Sequence, residues 1–122
     1  MTYCYPTPLD DLAVAALNPA VERDGHDWAQ IVQWLNDGCA QVWQINGTGY
    51  VLTLANGDDE VEALLAGGSN AAACVPVWER AMLARPEHAG MTLRVDGRKG
   101  WRRLLKGWDC DENGVLTKRV PG

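Results

Sequence analysis

The spacing of apolar residues changes period several times along the chain, and each change marks an element. Residues 1–5 read as a short edge strand. Thr7-Pro8-Leu9-Asp10 opens a helix, with Thr7 as N-cap, Pro8 at the first helical position and Asp10 in the first turn. Leu9, Leu12, Ala13, Ala16 and Leu17 share one helical face, and Asn18-Pro19 is expected to stop the helix. A second helix starts around residues 24–27, where Asp27-Trp28-Ala29-Gln30 has the form of a capping box. Trp28, Ile31, Val32 and Leu35 repeat at helical spacing, and Gly38 is a natural stop.

The period then shortens to two. Residues 40–45 and 49–54 read as a hairpin around Asn46-Gly47, and residues 60–66 as a third meander strand after Asn56-Gly57. Gly67-Gly68-Ser69-Asn70 breaks the pattern, with Ser69 or Asn70 available to cap a helix over 71–85. Pro76 should kink or shorten the first turns of that helix, and Pro86 ends it. A strand over 91–95, a short basic helix over 97–106 and a final strand over 115–120 complete the chain. Trp101, Leu104 and Leu105 point inward from that basic helix, and Asn113-Gly114 turns the chain into the last strand. The order β-α-α-β-β-β-α-β-α-β predicts an α/β fold: a mixed, largely antiparallel sheet, helices on both faces and one late crossover.

Length and composition place these elements in one domain, residues 1–122. Hydrophobic residues make up 47% and charged residues 22%, the balance of a folded chain. No run of 18 apolar residues is present, so no transmembrane helix is expected. Residues 1–8 carry neither a basic stretch nor an apolar core, so no secretory signal is expected.

Charge is unevenly placed. Residues 1–93 hold 3 basic and 12 acidic residues, a net of −9, while residues 94–122 hold 8 basic and 4 acidic, a net of +4. Arg98, Lys99, Arg102, Arg103 and Lys106 cluster within the basic helix, with Arg98, Arg102 and Lys106 on one face. An overall charge of −5 argues against general nucleic-acid binding, because the acidic remainder repels a phosphate backbone. Six Trp and no Phe are the other oddity.

Cys4, Cys39, Cys74 and Cys110 lie 35 or 36 residues apart, without a close pair or a nearby His, so neither a metal site nor a disulfide framework is expected. Cys39-Ala-Gln-Val-Trp-Gln and Cys74-Val-Pro-Val-Trp-Glu look alike, but one lies in a strand pattern and the other in a helix pattern, so the match is read as chance. Asp109-Cys110-Asp111-Glu112-Asn113-Gly114 opens like an EF-hand loop, yet Val120 stands where the bidentate Glu belongs. A hairpin turn on Asn113-Gly114 explains those residues better.

The element order, the stretch 61–68, Val75-Pro76-Val77-Trp78-Glu79-Arg80-Ala81 and the Gly97-Arg98-Lys99-Gly100-Trp101 box resemble the GNAT superfamily of N-acetyltransferases. The resemblance covers nearly the whole chain in its short form. It is similar in particular to the small GNAT-like proteins of tailed phages.

The resemblance implies three chemical roles. The family holds acetyl-CoA pyrophosphate on a Gln/Arg-x-x-Gly-x-Gly/Ala loop before a helix, where glycine lets the backbone approach the anion. Here Gly67, Gly68, Ser69 and Asn70 stand at that place, without the leading Gln or Arg. A plain turn with an N-cap accounts for the same residues. The family's base would be Glu60 or Glu62, which alternate onto one strand face that solvation alone also explains. Its late tyrosine acid has no counterpart, since Tyr3, Tyr5 and Tyr50 all precede Asn70, and Cys110 or water would have to substitute.

Two functions follow as expectations. The first is a non-catalytic virion or head-assembly component without a cofactor, found in the virion or host cytoplasm. It would bind phage structural proteins or copies of itself. Trp43, Trp101, Trp108, Arg98, Lys99, Arg102 and Arg103 are its candidate interface, although the missing Phe makes a core role for Trp equally natural. The second is a small acetyltransferase passing acetyl from acetyl-CoA to an amine by direct attack, with Glu60 or Glu62 as base through water.

Overall fold

A computed structural model describes residues 2–96 and 99–122, with residues 99 and 100 described by their backbone alone. The elements in chain order are β1 (Cys4–Thr7), α1 (Asp11–Asp24), α2 (Trp28–Asn36), β2 (Ala40–Ile45), β3 (Gly49–Asn56) and β4 (Glu60–Gly68). They continue with α3 (Ala71–Ala84), a 3-10 turn (Pro86–His88), β5 (Thr92–Asp96), α4 (Lys99–Leu104), β6 (Asp109–Cys110) and β7 (Val115–Arg119). The strands form one sheet in the order β1-β2-β3-β4-β5-β7-β6. Every neighbouring pair is antiparallel except β4 and β5, which run parallel because α3 carries the chain back between them. The mixed α/β architecture with a mostly antiparallel sheet therefore stands.

Alternation along the strands feeds two cores. On one face Trp43, Val51, Val61, Leu93 and Leu116 pack with Trp78 and Met82 of α3 and with Leu105 after α4. On the other, Val42, Leu52 and Leu65 pack with Leu17 of α1 and Ile31 of α2. The hairpin between β2 and β3 turns on Asn46 and Gly47, both at positive φ (55° and 75°), the conformation an Asn-Gly pair favours. Among the described residues, no helix is long and apolar enough to cross a membrane.

Several boundaries differ from the sequence reading, each for a local reason. β1 begins at Cys4 rather than at Met1, which lies outside the described residues. Asp10, not Thr7, caps α1, its carboxylate accepting from the Ala13 N–H at 2.9 Å. Pro19 does not end α1, which runs on to a left-handed Gly25. A proline inside a helix costs about 3 kcal/mol, but stopping there would strip Ala20 and Val21 from the core. Pro76 likewise lies within an uninterrupted α3.

β3 runs past residue 54 to Asn56, and β4 absorbs Gly67 and Gly68, which pair with Tyr50 and Gly49 instead of breaking the chain. Asn70 does not cap α3 with its side chain; it takes a left-handed conformation (φ 66°), and its carbonyl accepts from Ala73 and Cys74. The basic helix is shorter than expected; Gly97 and Arg98, expected at its start, lie outside the described residues. β6 is an addition that the sequence did not suggest. It pairs with β7 around the expected Asn113-Gly114 turn, where the Asp111 carboxylate accepts from the N–H groups of Asn113 (2.8 Å) and Val115 (2.9 Å). Those bonds commit the Asp111 carboxylate to the turn.

Candidate functional site

A single inserted residue interrupts the regular pairing of β4 with β3. Leu52 pairs with Leu65 and Thr53 with Ala63, so Leu64 has no partner on β3 and the strand bulges. Before the bulge, Val61 and Ala63 face α3; after it, Leu64 and Leu65 both face α1 and α2, and Ala66 returns to the α3 side. Pairing with β5 ends just before the bulge, at Ala63 opposite Val95. The remainder of β4, through Gly68, has no partner on that side among the described residues.

A cavity of about 340 Å³ opens at this gap, under α3 and α4. Its walls are apolar, with Ile45 and Val51 from the sheet, Val75 and Trp78 from α3, and Trp101 and Leu104 from α4. Trp78 is fully buried, and its indole N–H meets no acceptor among the described residues. A donor left unsatisfied inside a protein costs about 1–3 kcal/mol. The cavity also reaches the start of α3, where the N–H groups of Ala71 and Ala72 find no partner among the described residues. Unspent donors at a helix start carry partial positive charge.

The predicted loop residues surround this cavity, but much of their capacity is already used. Gly67, Gly68 and Ser69 line it; Asn70 does not. A Cβ on Gly67 would overlap the Ala16 carbonyl oxygen of α1, and one on Gly68, at φ 96°, would overlap the carbonyl oxygen of Thr48. Both glycines are therefore required by the chain's own backbone. The Ser69 N–H donates to that same Thr48 carbonyl at 3.0 Å. Cys74 is buried beside them, its thiol 3.7 Å from the carbonyl oxygens of Ser69 and Ile45.

Glu60 and Glu62 do not line the cavity. Asn56 Nδ2 donates to Glu60 Oε2 at 2.9 Å and to Glu62 Oε1 at 3.1 Å, and Arg94 Nη1 stands 3.8 Å from Glu60 Oε1. The carboxylates share one face, as their alternation predicts, but they belong to a polar patch ahead of the bulge. Arg94 Nε is buried there without a partner among the described residues.

The tryptophans are largely internal. Trp43 is 3% exposed and Trp108 8%, which corrects the expectation that they present a contact surface. In a chain without Phe, the large rings fill the core, and unlike Trp78, both Trp43 and Trp108 find an acceptor for the indole N–H. Trp43 donates to Thr53 Oγ1 at 2.8 Å, and Trp108 to Glu79 Oε2 at 2.6 Å. Trp101 is half-buried and meets Trp78 edge-on at 5.8 Å. Arg102 and Arg103 are exposed and make no ion pair among the described residues. Arg98 lies outside the described residues, as does the side chain of Lys99.

The sequence predicts a helix through Trp78 but carries no signal for its missing acceptor. The bulge was equally hidden, because Leu64 and Leu65 read as an ordinary apolar pair. Comparison with known proteins supplies no identity, since no family model, no curated protein and no solved structure matches this chain.

Proposed function

We propose that this chain is a GNAT-like protein of the tailed-phage type that works without catalysis, as a virion or head-assembly component acting through protein contacts. The observation that carries the non-catalytic part is the self-filled turn from β4 into α3. Gly67 and Gly68 are held against the chain's own carbonyls, and the Ser69 N–H is bonded to Thr48. Those are the groups that the resemblance would offer to a pyrophosphate. Glu60 and Glu62, the candidate bases, are tied to Asn56 outside the cavity. The phage setting comes from the resemblance alone.

With Trp43 and Trp108 buried, the contact surface falls to other groups. Arg102 and Arg103 offer charge on α4, and Leu12 (69% exposed), Tyr5 and Val32 offer apolar area. Opposite charge on a partner would guide association, and the exposed apolar groups would supply burial. The partners are phage structural proteins or further copies of this chain. Copurification with phage particles tests the reading: presence in purified particles supports it, and a chain that is absent from particles and monomeric alone overturns it.

A second reading, a small N-acetyltransferase using acetyl-CoA, is favoured by the apolar cavity with its orphaned Trp78 N–H. The residues present fit the group in part: Ala71 and Ala72 could meet a phosphate and the cavity an acyl chain. Bound acetyl-CoA would supply an activated acetyl group. Titration with acetyl-CoA, followed by Trp fluorescence and calorimetry, separates the two readings. No binding at millimolar ligand removes the second.

A further inference from the structure

A second cavity, of about 430 Å³, lies where α3 ends and the chain passes through the 3-10 turn toward β5. Its floor is apolar, with Trp43, Val61 and Met91. Its charged rim comes from three residues of a four-residue span: Arg85, Glu87 and His88. Pro86 forces Arg85 into extended backbone (φ −74°, ψ 125°), which ends the helix and turns the span over Trp43.

Most polar groups here are spent internally. The Trp43 indole donates to Thr53, Thr53 Oγ1 to the Gln41 carbonyl at 3.4 Å, and Gln41 Nε2 to the Val42 carbonyl at 2.8 Å. Two are not. The Arg85 guanidinium lies 5.1 Å over the Trp43 ring and pairs through Nε with Glu87, which leaves both terminal nitrogens without a partner among the described residues. His88 is 7% exposed, and its Nδ1 lies 3.0 Å from the Met82 carbonyl oxygen. A carbonyl only accepts, so Nδ1 carries a proton, and in the neutral tautomer the lone pair lies on Nε2. That nitrogen has no partner among the described residues.

We propose that this cavity binds a free α-amino acid with an apolar side chain. The planar fork of Arg85 takes the carboxylate through two parallel hydrogen bonds. His88 Nε2 and the Glu87 carboxylate take the ammonium, and Trp43, Val61 and Met91 receive the side chain. One cation balanced by one carboxylate matches a zwitterion better than a phosphate dianion. The stacking of Arg85 on Trp43 holds the fork in place before the ligand arrives, which lowers the ordering cost of binding. This site is separate from the cavity at the start of α3 and does not depend on the function proposed for the chain.

Titration of the full chain with L-leucine, read by the shift of the Trp43 indole N–H resonance, tests the assignment. Trp43→Phe identifies the resonance. A ligand this small should saturate with a Kd on the order of 1 mM. N-acetyl-L-leucine and L-leucinamide each lose one recognised group and should bind at least about tenfold more weakly. Arg85→Ala, at a partly exposed position, should fold normally by circular dichroism and lose binding at least about tenfold. Absence of a saturable shift with L-leucine overturns the proposal, and so does unchanged binding by Arg85→Ala. Equal binding of N-acetyl-L-leucine overturns it in favour of a general carboxylate site.

Discussion

The two ends of α3 meet the same sheet in opposite ways. At its start, the walls are apolar, the spacing is set by backbone against backbone at Gly67 and Gly68, and the Trp78 indole N–H is unspent. At its end, side chains set the geometry, and the Trp43 indole N–H is bonded within a chain of polar groups. Two tryptophans of one core, Trp78 on α3 and Trp43 on β2, thus sit in contrasting chemistry. A backbone-defined cavity tolerates no added atom at its hinge, whereas a side-chain-defined cavity loses its polar groups one at a time.

Removing the Trp78 ring, which lines the cavity at the start of α3, should have the largest effect. Trp78 contacts Trp101 and stacks on Trp108 at 6.3 Å, so Trp78→Ala should cost about 4 kcal/mol. A urea unfolding curve gives the value, and a loss under about 1 kcal/mol would show that the three rings do not support one another.

Next comes the hinge. Gly67→Ala should cost about 3 kcal/mol, because the new Cβ pushes on the Ala16 carbonyl rather than on a movable side chain. Gly25→Ala is the control: its φ is 71° but nothing lies within 4 Å, so only backbone strain of about 1 kcal/mol is expected. Equal losses at the two sites would mean that contact with α1 does not set the hinge.

At the polar end, His88→Ala should cost about 2 kcal/mol, mainly by leaving the buried Met82 carbonyl without its donor. His88→Asn, which can donate again, should recover part of that. A loss as large as that of Trp78→Ala would erase the contrast between the two ends.

How much of this was legible in the sequence divides along physical lines. The Asn46-Gly47 hairpin and the burial of Ile31 on α2 follow from turn chemistry and local period, while Val32, at the same helical spacing, is 42% exposed. The reach of α1 past Pro19 does not follow from them, because it depends on burying Ala20 and Val21 against elements distant in sequence. Gly67 and Gly68 were read as a loop able to hold an anion; their partners, Ala16 and Thr48, are brought close only by the fold. Glu60 and Glu62 share a face, as alternation requires, but the bulge at Leu64 lies between them and the cavity. Nothing in the spacing joins Arg85 or His88 to Trp43, because a stack across 42 residues leaves no mark in sequence.

Cys4 lies between the two ends and reports on both, with a smaller effect on stability than any of these substitutions. Burial pushes its thiol up to about 11; the positive charge of Arg85 opposes the shift, and the nearby Cys74 adds to it. The folded chain therefore holds the Cys4 proton in a range where the unfolded chain, with a thiol near the ordinary value of about 8.5, releases it. That contribution to stability is complete below the ordinary value and fades as pH rises toward 11. Alkylation with iodoacetamide reads the same quantity site by site. Exposed Cys110 should be alkylated ahead of half-buried Cys4, which lags until the pH nears 11. Arg85→Ala should delay Cys4 further, and Cys74→Ser should bring it forward slightly. If Cys4 reacts as fast as Cys110 at pH 8.5, β1 does not pack against α3 tightly enough to exclude water, and the separation of the two cavities along α3 fails with it.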